Sequence, residues 1–311
     1  MNNRKHFYLA SWGIIFILSS IPAYSQDAVA YYDRGKAKAK AGDFKGAIAD
    51  FSKCIELKAD FADAYLARGD AWFDSNDFNK AIVDCSRALE ISPGTQQAYL
   101  LRGLSKYRLD DLDGAIIDYS AALKLNPEFE TAYYNRALAI MEKGEFQHAI
   151  NDYSQAIALQ PEWADAYFFR ARCNEQLNKN KEAIEDFNKA IEFSPNLTEA
   201  YLHRGLTLFY EMGDKKGALV DMNKVIELAP SYYGGYFYRG TIYQVSFDVK
   251  NALKDFDKAI ELEPGFSEAY HMRGLGKIIL ADKKGGCNDL LKAVKLGSED
   301  AVDSVKTNKC K

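Results

Sequence analysis

The sequence predicts an all-α chain built as a solenoid of helical hairpins, and three regularities predict it. Arginine recurs at Arg34, Arg68, Arg102, Arg136, Arg170, Arg204, Arg239 and Arg273, every interval being 34 residues except one of 35. Aspartate keeps the same register at Asp50, Asp84, Asp118, Asp152, Asp186, Asp221, Asp255 and Asp289. A tyrosine stands three residues before each arginine, from Tyr31, Tyr65, Tyr99 and Tyr133 to Tyr167, Tyr201, Tyr236 and Tyr270. A fixed period of this length marks supersecondary units that are too small to bury a core alone and must stack to do so.

The chain starts with a basic stretch, Arg4-Lys5-His6, an apolar run from Phe7 to Leu18, and small residues at Ala23 and Ser25. These are the parts of a secretory signal peptide, so residues 1–25 are expected to be removed and the protein exported, to a periplasmic or extracellular space. The run is shorter than the roughly 20 apolar residues that span a bilayer, which leaves membrane contact expected only through export. Forty Lys plus Arg oppose 44 Asp plus Glu. No basic excess is available to neutralise a phosphate backbone, and nucleic acid is excluded as a partner class.

Eight units follow, at 28–61, 62–95, 96–129, 130–163, 164–197, 198–232, 233–266 and 267–298. The one extra residue lies in the stretch Glu211 to Lys216, where a turn absorbs it most easily. One step after each arginine comes a small residue: Gly35, Gly69, Gly103, Ala137, Ala171, Gly205, Gly240 or Gly274. Glycine in a helix interior costs about 1 kcal/mol relative to alanine, so its recurrence there implies a close helix contact. Apolar residues run at helical spacing through the rest of each unit, as in Ala115, Ile116, Tyr119, Ala122, Leu123 and Leu125. Pro93, Pro127, Pro161, Pro195, Pro230 and Pro264 close units two to seven, ending one helix without breaking the next. Each unit therefore reads as a helical hairpin.

Counted from the first residue of each unit, the small residue at place 8, alanine at 20, an apolar residue at 24, a small residue at 27 and proline at 32 resemble the tetratricopeptide repeat pattern. Place 24 holds Phe51, Cys85, Tyr119, Tyr153, Phe187, Met222, Phe256 and Leu290; place 27 holds Cys54, Ala88, Ala122, Ala156, Ala190, Val225, Ala259 and Ala293. The resemblance implies a right-handed superhelix whose first helices line an inner groove. The sequence departs from the family at place 7, usually leucine and here always arginine. In an antiparallel hairpin, places 7 and 23 lie at one height, so each aspartate can meet an arginine of its own unit or of the next. The reading is a structural ladder, exemplified by Arg136, Asp152, Arg170 and Asp186, because a partly buried arginine needs a bidentate carboxylate.

In the family, places 2, 5, 9, 12 and 13 face the groove. Carried over, places 5, 9 and 12 give Tyr32, Leu66, Leu100, Leu104, Tyr107, Tyr134, Leu138, Phe168, Arg172, Leu202, Leu206, Phe209, Phe237 and His271 as the surface for a peptide or partner helix. The alternative reading of this apolar stripe is helix-to-helix core. Tyr32, Lys36, Ala67, Gln97 and Leu101 do not supply the family's basic clamp for a terminal carboxylate. No phosphate-cradling loop, nucleophile motif or paired metal-ligand spacing is present, and His148, His203 and His271 fall in different units. A non-catalytic binding scaffold without cofactor or metal is expected, with an envelope assembly factor or chaperone as the alternative. Cys54, Cys85 and Cys173 read as apolar fillers. Cys287 and Cys310 flank a turn at Gly297-Ser298 and are expected to form a disulfide that ties down a capping helix over residues 299–311.

Overall fold

The computed structural model describes residues 23–310; the expected signal segment falls almost wholly outside the described residues. These residues form seventeen α-helices and no strand. They divide into two compact bodies, one through Asp111 and one from Leu112. The first holds α1 (Ala23–Lys40), α2 (Phe44–Leu57), α3 (Ala62–Asp74), α4 (Phe78–Ile91) and α5 (Gln96–Arg108). The second begins with α6 (Leu112–Leu125), α7 (Glu130–Glu142), α8 (Phe146–Leu159), α9 (Ala164–Gln176), α10 (Asn180–Phe193) and α11 (Thr198–Tyr210). It continues with α12 (Lys215–Leu228), α13 (Tyr233–Val245), α14 (Val249–Leu262), α15 (Ser267–Ile279), α16 (Lys283–Lys295) and α17 (Glu299–Thr307).

The helices pair as antiparallel hairpins, α1 with α2 and α3 with α4 in the first body, and α7 with α8 through α15 with α16 in the second. One turn chemistry makes these hairpins. The chain leaves each first helix through a residue at positive φ, such as Gly42, Asn76, Gly144 or Asn178. The amide after it then bonds a carbonyl five residues back, as in Asp43 N–H to Lys38 O at 2.9 Å and Asp77 N–H to Trp72 O at 2.8 Å. Between α11 and α12 the corresponding bond runs from Asp214 N–H to Leu208 O, and this longer turn takes up the extra residue. Asp43, Asp77, Asp214, Asp248 and Asp282 then cap the second helices by accepting a backbone N–H of the first turn.

Inside each body the core is the set of small and apolar places named above. Phe51, Tyr153, Phe187, Met222 and Phe256 are buried, as are Ala47, Ala149, Ala183 and Ala252. A Cβ added at Gly35 would stand 2.6 Å from the Phe51 ring, and one at Gly240 would stand 2.9 Å from Phe256, so the first helix approaches its partner too closely there for any side chain. Cys54, Cys85 and Cys173 are free and buried, and burial pushes the Cys173 thiol up to about 12. Cys287 and Cys310 are joined, with 5.2 Å between their Cα atoms, and α17 packs on α16 and α15.

Candidate functional site

The periodic arginines and aspartates organise each body. Arg68 Nε and Nη2 donate to the two carboxylate oxygens of Asp84 at 2.7 and 2.8 Å. The same fork-to-carboxylate pair recurs between Arg136 and Asp152, Arg170 and Asp186, Arg204 and Asp221, Arg239 and Asp255, and Arg273 and Asp289. The aspartate thus serves the arginine of its own hairpin. What reaches back to the preceding hairpin is the third guanidinium nitrogen. Nη1 of Arg136 donates to Ser120 at 3.0 Å, that of Arg170 to Ser154 at 3.0 Å, and that of Arg204 to Asn188 at 2.6 Å. The guanidinium also lies 4.8 to 5.8 Å from the ring of the tyrosine three residues earlier.

Reading arginine and aspartate alone misses this partner, although the sequence carries its signal. Two residues after the aspartates stand Ser52, Ser86, Ser120, Ser154, Asn188, Asn223 and Asp257, always short and polar. After Asp289, where no further arginine of the series follows, the place is taken by Leu291. Arginine at place 7 therefore contacts three groups at once: the aspartate and the tyrosine of its own hairpin and a short polar residue of the preceding one.

In the first body, the surface contains a cavity of about 370 Å³ between the first helices, lined by Tyr32, Asp63, Leu66, Ala67, Asp70, Gln97, Leu100, Leu101 and Leu104. Four of the expected groove residues, Tyr32, Leu66, Leu100 and Leu104, meet here; Tyr107 lies one turn further along α5, half-buried. The Tyr32 ring is anchored 5.0 Å from Phe61, and the Lys36 ammonium stands 5.2 Å from its centroid. Burial, with Asp63 and Asp33 next in weight, raises the Tyr32 pKa. Burial and the neighbouring charge of Asp74 raise that of Asp70. Neither Asp63 nor Asp70 has a cationic partner among the described residues, so an apolar floor carries an uncompensated acidic rim.

The second body distributes its expected groove residues differently. Tyr134 stacks on Trp163 at 4.4 Å, Phe237 packs edge-on against Phe266 at 4.8 Å, and Leu138 lies against the core around Tyr153. Phe168 is only 7% exposed, packed against Phe187 and His203, so its ring belongs to the core and offers a ligand little surface. Leu202 and Phe209 cover the cluster around Met222. Arg172 is within 3.1 Å of Glu175 and 3.0 Å of His203. Glu175 also accepts from the Thr207 hydroxyl at 2.6 Å, beside a small recess that includes Leu206. His271 meets Ser304 of α17 at 2.8 Å, and burial lowers its pKa. Much of the stripe is thus spent on packing between hairpins, and its charges neutralise one another.

Comparisons with known proteins agree with this architecture. Family models described as tetratricopeptide repeat match residues 32–95, 141–197 and 198–232, and one described as TPR repeat matches residues 106–144; together they take in more than half of the chain. Among solved structures, YrrB, described as a TPR protein with an unusual peptide-binding site, is 24% identical over 60% of this chain and 96% of its own, with a TM-score of 0.55. A tetratricopeptide repeat protein from Parabacteroides merdae is 23% identical over 80% of this chain and 98% of its own, with a TM-score of 0.56. The C-terminal part of a TPR repeat-containing protein from Cytophaga hutchinsonii is 18% identical over 78% of this chain and 98% of its own, with a TM-score of 0.67. No curated protein matches the chain.

Proposed function

The chain belongs to the tetratricopeptide repeat family, and from that premise we propose that it is a non-catalytic scaffold whose first body grips a peptide or partner helix carrying a large apolar side chain beside a lysine or arginine. The observation that carries this reading is the cavity under Leu66, Leu100 and Leu104 with Asp63 and Asp70 unpaired on its rim. The leucines reward burial of an apolar side chain, and a cation set against Asp70 relieves a desolvated carboxylate. The description of YrrB as a peptide-binding protein supports the general mode. The Cys287–Cys310 bond supports export, because disulfides persist in oxidising compartments. With export, the second reading is an envelope assembly factor whose clients present such segments.

Fluorescence anisotropy with short peptides tests the proposal. A peptide pairing leucine or phenylalanine with lysine is expected to bind, and the double substitution Asp63→Asn, Asp70→Asn to weaken it about tenfold, or ~1.4 kcal/mol. Equal binding of the same peptide with glutamate in place of lysine would dismiss it.

A further inference from the structure

One edge of the second body is unlike the rest of the repeat. At place 13, the end of each first helix, the earlier units carry Lys40, Asp74, Arg108, Glu142 and Gln176. The last three carry Tyr210, Val245 and Ile279, with exposures of 59%, 45% and 61%. Met212, Phe247 and Leu280 stand beside them in the same turns, and Phe247 is 92% exposed. The turns of neighbouring hairpins touch here, since Lys215 Nζ donates to Val245 O at 3.2 Å.

Phe247 also occupies the place where the hairpin turn needs a left-handed backbone. Its φ is 63°, whereas the corresponding residues elsewhere are Gly42, Asn76, Asp110, Gly144, Asn178, Gly213 and, in the last hairpin, the small Ala281. Glycine, asparagine and aspartate accept that conformation; a bulky aromatic residue is strained in it. The strain is offset by no packing, because the ring is almost wholly in solvent. Folding therefore gives no reason for phenylalanine at this turn, and a strained residue with an exposed apolar side chain points to an intermolecular role.

Lysines frame the ridge. Lys216, Lys250 and Lys284 stand at one place of three successive second helices, with Lys215 and Lys283 each one residue earlier. All five are exposed, and none pairs with a carboxylate of the described residues. The nearby acids Asp214, Asp248 and Asp282 are engaged as helix caps, and Glu211, between Tyr210 and Met212, accepts from Asn180 Nδ2 at 3.4 Å.

We propose that this edge docks on an anionic lipid surface. The apolar tips of the three turns enter the boundary of the acyl chains with Phe247 deepest, and the lysines lie at the level of the phosphate headgroups. Exposed turn tips suit a deformable medium, and the ammonium groups of Lys216, Lys250, Lys283 and Lys284, which have no carboxylate partner among the described residues, match a surface of phosphates. Because this site lies on the turns of the second body, it is independent of the peptide cavity.

Full-length protein carrying Phe247→Trp tests it on vesicles of phosphatidylcholine mixed with phosphatidylglycerol. Relative to wild type, the added indole emission is expected to shift to the blue and to be quenched by bilayer-embedded bromolipid. Pure phosphatidylcholine, high salt, or Lys216→Glu with Lys250→Glu should abolish both effects. Phe247→Gly, which suits the turn, should keep or raise Tm and lower vesicle partitioning about tenfold. Absence of the shift, or a shift of equal size on neutral vesicles, would overturn the proposal. So would a shift that needs no lipid and follows protein concentration with dimerisation in sedimentation velocity, which would assign the ridge to a second copy of the chain.

Discussion

Places 7 and 23 of the repeat hold the same two residues eight times over, whereas places 9 and 13, only two and six residues beyond place 7 on the same first helices, vary: place 13 differs in every unit, and place 9 is leucine in four units and charged or polar in the other four. At place 9 the chain has Lys36, Asp70, Leu104, Leu138, Arg172, Leu206, Thr241 and Leu275. The difference separates two duties. The fixed places clamp the two helices of each hairpin through a part-buried pair of opposite charges, and their arginine reaches the preceding hairpin through its third nitrogen; the variable places meet solvent and decide what each stretch of the surface binds. Asp70 and Arg172 make the contrast within place 9 itself. Asp70 faces an apolar cavity without a cation, while Arg172 is already held by Glu175 and His203. The first is open to a ligand of opposite charge, and the second already has its charge paired within the fold.

The contrast breaks most visibly if an inner rung is removed. Arg170→Ala is expected to destabilise the fold by about 3 kcal/mol, since it leaves the carboxylate of Asp186, whose side chain is 9% exposed, without its cation and with only the Asn174 Nδ2 donor at 3.3 Å, and it also removes the guanidinium bond to Ser154. Urea unfolding gives the number. A double-mutant cycle with Asp186→Ala that shows no coupling would mean that the pair does not act as a unit. Ser154→Ala sharpens the same comparison at lower amplitude. It removes one hydrogen bond to a guanidinium that keeps both bonds to its aspartate, and a loss of about 1 kcal/mol is expected. A loss as large as that of Arg170→Ala would transfer the clamping role from the carboxylate to the serine.

The all-helical fold was legible because each hairpin repeats its physics: a close approach at place 8, an apolar seam at 24 and 27, and, in units two to seven, a proline at 32 that ends the second helix. The aspartate's choice between two arginines was not legible. Both lie at its height, and only side-chain reach decides between them. The serine and asparagine partners were legible but look like ordinary surface residues until a guanidinium nitrogen is left to account for. The groove was the least readable part. Phe168 and Leu100 sit at the same place 5, but Phe168 is large enough to span to Phe187 and His203 and disappears into the core. Leu100 is shorter and remains on the wall of a cavity. Periodicity gives the direction of a side chain, and volume relative to its neighbours determines how much of it a ligand can reach.

The outermost rung gives the smallest effect. Arg34 is 57% exposed, and Asp50 is also bonded to Lys38 at 2.8 Å, so Arg34→Ala leaves the carboxylate with a second cation and should cost less than Ser154→Ala. Acid separates the two contributions. Hydrogen bonds from Arg34, opposed by burial and reinforced by Lys38, lower the Asp50 pKa from 3.8 to about 2. A carboxyl with a depressed folded-state pKa stabilises the fold fully above its unfolded value, and that stabilisation is lost as pH falls through the folded one. The stability difference between wild type and Asp50→Asn should therefore be constant above about pH 5 and shrink as pH is lowered from about 4 towards 2. In Arg34→Ala the decline should begin at the same pH but be smaller and finish at a higher one, because Lys38 alone holds the proton off less strongly. An unshifted decline would show that Lys38 carries the interaction and that the ladder's first effective rung is Arg68 with Asp84.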